Sequence, residues 1–166
     1  MRLSHLALVL GALALCAAAC GAPTDPSAAT DAGYAALGRG DAEAALDHFV
    51  DALEALGPDD TGYPRARMGA IEAKARLVPE AAAESLLAWA ASRPDQVAAA
   101  DHHKVGALLV GLDAVDPAID VLHAGCERFP SNEKLVTAME SMQQAAAERG
   151  DDAVLARIAG LGYGGG

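Results

Sequence analysis

Small and large apolar residues recur at helical spacing in three stretches of this chain. They are Ala45, Phe49 and Ala52, then Ala82, Leu86 and Trp89, then Ala118, Leu122 and Gly125. Positions i, i+4 and i+7 lie on one face of a helix, so each stretch predicts an amphipathic helix. Small residues let a neighbouring helix approach, and the large one between them fills the gap. Each stretch runs into a proline, at Pro58, Pro94 and Pro130, and these stand 36 residues apart. Proline stops a helix, and a fixed period of this size is the signature of stacked structural units.

The segments before these helices carry matching punctuation. Gly33 precedes Ala45 by the same distance as Gly106 precedes Ala118, which predicts a close helix crossing in both units. Gly40-Asp41 closes one helix and caps the next, and Asp116-Pro117 offers a cap and a first-turn proline. Val78-Pro79-Glu80 plays that part in the second unit. There Trp89 stands where the other units have a small residue, so it should push neighbouring helices apart or face a partner. Glu133 to Arg149, then Gly150-Asp151 and Ala153 to Ala159, read as a fourth unit or capping pair. The expected fold is all-α, an α-solenoid of antiparallel helix pairs over residues 31–161. An unrelated alanine-rich bundle with helices of equal length is the alternative.

Gly33, Gly40-Asp41, Glu43, Ala45, Leu46, Phe49, Ala52 and Leu53, followed by Pro58, resemble a tetratricopeptide repeat. On that resemblance the chain holds about three such repeats and a C-terminal capping pair. The period of 36 is longer than the family's ~34, and the aromatic and Leu-Gly signature of the first helix is mostly missing.

Ahead of the repeats, Arg2 and the apolar run Leu6 to Leu15 lead to Ala17-Ala18-Ala19-Cys20-Gly21. The run is too short to span a bilayer and reads as a signal. The small residues before Cys20 resemble the lipobox of bacterial lipoproteins, with Ala17 standing where that motif has leucine. The resemblance implies removal of residues 1–19 and lipidation of Cys20, in the cell envelope. In a Gram-negative cell, Gly21 in place of aspartate favours the outer membrane. Secretion after an ordinary A-x-A cut is the alternative. Residues 20–30, with Pro23, Thr24, Pro26 and Ser27, read as a flexible tether, and residues 162–166 as a loose glycine-rich tail.

Composition narrows the function. The chain carries 12 basic against 23 acidic side chains, a net charge of −11, and loss of Arg2 makes it more negative still. Such a surface argues against nucleic acid and against adsorption on anionic lipid by charge. Hydrophobic residues make up 52% but aromatics only 4%, so alanine, the best helix former, carries much of the apolar count. With Cys16 removed and Cys20 acylated, Cys126 stands alone and reads as a small buried hydrophobe.

Catalytic signals are sparse. His123 and Cys126 form H-x-x-C with no second pair at metal-ligand spacing. Asp101-His102-His103 reads as a helix-start acid followed by two surface histidines, because adjacent helical residues diverge by ~100°. No nucleophile elbow or phosphate loop occurs. No catalytic residue, metal or cofactor is therefore expected.

The tetratricopeptide resemblance implies a groove lined by the first helices of the units, with Tyr34, Arg67, Ile71, Lys74 and His103 on its wall. Arg65, Arg67, Lys74 and Arg76 stand there against one acid, Glu72. They read either as a seat for an acidic peptide or terminal carboxylate, or as a solvated face balancing acidic neighbours. The expected function is a lipid-anchored envelope adaptor or scaffold for a protein or peptide partner. An envelope enzyme or a small-ligand-binding helical bundle is the alternative.

Overall fold

The computed structural model describes residues 25–163, and the signal-like segment, Cys20 and the last three glycines lie outside them. Eight α-helices follow one another: α1 (Pro26–Gly38), α2 (Ala42–Ala55), α3 (Tyr63–Leu77), α4 (Pro79–Ser92), α5 (Ala99–Gly111), α6 (Val115–Arg128), α7 (Glu133–Arg149) and α8 (Asp152–Gly160). A single 3-10 turn, Pro94–Gln96, separates α4 from α5. No strand occurs among the described residues, and the fold is all-α.

The helices pair in order, α1 with α2, α3 with α4, α5 with α6 and α7 with α8. The first helices also touch in sequence, α1 on α3, α3 on α5 and α5 on α7. On the other side α4 meets α6, and α6 meets α8. The result is a solenoid-like stack of helix pairs in two layers.

Local chemistry sets the turns. Asp41 accepts a hydrogen bond from the Ala44 amide (3.1 Å) after Gly40 turns the chain at φ 81°, and Asp151 accepts from Val154 (3.1 Å) after Gly150 at φ 67°. Both pairs use glycine for a left-handed residue and aspartate to satisfy an orphan amide. The turn between α5 and α6 has the same geometry with Asp113 in the left-handed position, at φ 58°. Asp116-Pro117 does not cap α6 as expected: the helix begins two residues earlier, behind Ala114, and Pro117 is buried inside its first turn.

The expected tether shortens. Asp25 accepts from the Ser27 amide (3.0 Å), Pro26 occupies the first helical turn, and the Thr30 hydroxyl donates to the Pro26 carbonyl (2.7 Å). A cap and a proline fixed at helical φ nucleate α1 within a stretch whose composition suggests a linker. Ala29 and Thr30 are buried. At the other end, the Gly162 and Tyr163 amides donate to the Ala159 (3.0 Å) and Ile158 (3.3 Å) carbonyls, which folds Tyr163 back onto α6 instead of leaving it loose.

The core has three parts. Between α1, α2 and α3 one consists of Phe49 among Ala36, Ala45, Ala70 and Ala73, and a smaller one of Ala29, Ala52 and Ala66. From α3 onward the third is a continuous aliphatic cluster that includes Met68, Leu86, Trp89, Val105, Leu109, Ile119, Leu122, Leu135, Met139 and Ile158. Trp89 faces no partner: it is 4% exposed, and its Nε1 donates to Gln96 Oε1 (3.2 Å). The prolines join successive units. Gln96 Nε2 donates to the Pro58 carbonyl (2.8 Å), Arg128 donates to the Pro94 carbonyl, and Arg93 pairs with Asp59.

Candidate functional site

The first-helix face, built from α1, α3, α5 and α7, is the place to look for a partner. Its neighbours are tied by charge across two of three seams. Between α1 and α3, Arg65 pairs with Asp31 (2.8 Å), lies over the Tyr34 ring (5.0 Å), and receives the Tyr34 hydroxyl hydrogen bond on its carbonyl (3.0 Å). Between α3 and α5, Lys104 pairs with Glu72 (2.6 Å). Arg65, Asp31 and Lys104 are largely exposed while Glu72 is mostly covered, and the exposed Arg65–Asp31 pair adds only about 0–1 kcal/mol; both pairs act mainly to neutralise the wall.

The five wall residues separate on this frame. Tyr34 is half-buried, packed edge-on against Phe49 (5.0 Å), and burial raises its phenol pKa above the ordinary value, with Glu72 adding to the rise and Arg65 opposing it. It is an internal joint as much as a surface. Ile71 is 1% exposed in the aliphatic core and cannot line a groove. Lys74 turns toward α4, where its Nζ donates to Ser85 Oγ (3.0 Å). Arg67 shares the α3 face of Ile71 and Lys74, and its Nε is buried without a hydrogen-bond partner. Arg76 curls back to donate to the Glu72 carbonyl (2.8 Å). The basic cluster of α3 is thus dispersed, and its charges do not converge on one seat.

His103, of the five, opens onto a surface hollow. Between α5 and α7 it lines a shallow hollow of about 380 Å³ with Glu133, Lys134, Thr137, Ala138 and Ser141. A second hollow of about 400 Å³ shares His103, Glu133 and Lys134 and continues toward Ser131 and Asn132. No side-chain bridge crosses this seam among the described residues, in contrast with the other two. Sequence reasoning missed Lys134, Thr137 and Ser141; their spacing along α7 at i, i+3 and i+7 is the signal that could have found them.

His102 is a correction. It is no surface histidine: it is 1% exposed, wedged between α5 and α6. The C-terminal end holds a second titratable group. Tyr163 stands edge-on to His123 (5.7 Å) with its hydroxyl 3.4 Å from His123 Nδ1, and burial, followed by the neighbouring Cys126 thiol, raises its pKa. Cys126 itself is buried and free.

Among the described residues no group of three or more His, Cys, Asp or Glu could hold a metal ion. None of their helices is long and apolar enough to cross a membrane. No known protein-family model matches the chain, and no curated protein does.

Proposed function

We propose that this chain is a lipid-anchored adaptor of the cell envelope, and that its helix pairs act as tetratricopeptide-like repeats which hold a protein or peptide partner on the first-helix face. The observation that carries the reading is the open hollow between α5 and α7, where His103, Lys134, Thr137 and Ser141 face solvent across a seam with no internal bridge. A stack of helix pairs offers extended surface for a partner in place of a deep cleft, and this suits binding better than catalysis. The signal-like N-terminus supports placement in the envelope, with Cys20 as the lipidated residue. Because α1 starts at Pro26, the link from Cys20 to the first helix is short. Five residues span at most ~18 Å, which holds the stack close to its membrane.

The test is a photo-crosslinking residue placed at Thr137 in the full chain in its own host, with Ala88 on the second-helix layer as the control position, followed by mass spectrometry. The reading requires one reproducible partner captured from Thr137 and not from Ala88, and an acylated Cys20. Equal capture from both positions, or a free N-terminus at residue 20, rejects it.

A further inference from the structure

His102 is the one buried histidine among the described residues, and its surroundings suit only the neutral ring. Its Nδ1 lies 3.1 Å from the Val121 carbonyl of α6, and a carbonyl only accepts, so Nδ1 carries the proton of the neutral ring. Its Nε2 is buried with no partner. The ring stands edge-on to Phe129 with centroids 6.2 Å apart. A Cβ placed on Gly125 would come within 2.8 Å of the His102 Cβ, so α5 and α6 are at close contact there. Phe129 is in turn covered by the Arg128 guanidinium, which docks on the Pro94 carbonyl.

We propose that His102 is an acid-sensitive latch: its neutral imidazole locks α5 to α6, and its protonation loosens the third helix pair together with the His103 hollow that α5 lines. A second proton on Nε2 creates a buried charged donor with no acceptor, in surroundings of low polarity. Two charges bear on the ring. Arg128 of α6 opposes protonation, and Asp101 of its own helix favours it, though that carboxylate is already bonded to the Ala98 amide (2.8 Å). Phe129 and the Val121–Gly125 segment bring no counter-charge.

The sign follows from the burial. Desolvation, the largest influence, lowers the His102 pKa below its ordinary 6.5. The unfolded chain therefore takes up the proton first as pH falls. The stability that His102 contributes is complete above 6.5 and is lost progressively as pH drops from there through the folded value.

The experiment is an NMR titration of the imidazole signals of the intact domain, together with hydrogen exchange at about pH 7.5 and about pH 5, corrected for intrinsic rates. The expected result is a His102 midpoint below 6.5 and exchange in α5 and α6 faster by about tenfold or more at the lower pH, with α1 and α2 unchanged. In His102→Gln, whose amide can still donate to Val121, the acceleration should vanish. A His102 midpoint at or above 6.5 in the unaltered protein overturns the proposal. The same acceleration in His102→Gln overturns it equally.

Discussion

The joint that fastens the first helix pair to the second and the joint between the second pair and the third use opposite means. In the first, one ring does most of the filling: Phe49 lies between Gly33 and Gly69, where added Cβ atoms would fall 2.7 and 2.3 Å from its ring, the other buried residues of the cluster are alanines, and Tyr34 packs edge-on from the rim. In the second, Leu86, Trp89, Val97, Val105 and Leu109 divide the filling among many side chains, and α4 meets α5 only lightly while packing on α3 and α6. Glycines and alanines let backbones approach and so gain contact from the main chain, but they concentrate the side-chain burial in a single residue. The aliphatic joint spreads it. The first joint should therefore fail through one substitution, and the second should yield by degrees.

The largest effect is expected from Phe49→Ala. Emptying a pocket walled largely by alanine and helix backbone should cost about 3–5 kcal/mol, because such walls collapse poorly. The urea midpoint measures it, and an unchanged midpoint would remove the ring from its central role. Next comes Gly69→Ala. Although alanine favours a helix by up to ~1 kcal/mol, the ring held from the other side by Gly33 cannot swing away, so a net loss of about 1–2 kcal/mol is expected. Thermal unfolding decides the sign, since a stabilised variant would mean that the ring has room to move.

In the second joint, Ile119→Val removes one methylene from a crowded cluster and should cost only about 0.5–1.5 kcal/mol by the same urea titration. A loss as large as that of Phe49→Ala would abolish the contrast. The smallest change concerns the turns. Asp113 holds the left-handed conformation that Gly40 and Gly150 supply at the equivalent turns, so Asp113→Gly should stabilise by about 0.5–1 kcal/mol, read as a raised melting midpoint. A lowered midpoint would show that the aspartate side chain contributes more than its backbone costs.

Much of this contrast is legible in the sequence. The spacing of Ala45, Phe49 and Ala52 and the recurring prolines give the stack, and Gly33 announces the close crossing. Gly69 stands 36 residues after Gly33, on the proline period, but escapes because it precedes Ala82 by 13 residues where the other units have 12; α4 starts 37 residues after α2, and α6 starts 36 after α4. The wall residues of α3 are less legible for a physical reason. That helix is covered from both sides, with Ala66, Met68, Gly69, Ala70, Ile71, Ala73 and Ala75 all buried, so it has no broad solvent stripe by which to orient Arg67, Ile71 and Lys74. Trp89 and His102 mislead in the same manner, since residue type suggests a surface role and tertiary contacts alone reveal burial. The start of α1 hides behind Ser, Thr and Pro, which suit a linker until Asp25 is recognised as a cap.

The molecule is a stack whose joints are stabilised separately, each by its own neighbours. Hydrogen exchange resolved along the chain, comparing the unaltered protein with Phe49→Ala, tests this most directly. Separate joints require faster exchange through α1, α2 and the start of α3, with α5, α6 and α7 protected as before. Uniform acceleration across all eight helices would contradict it and describe one indivisible core.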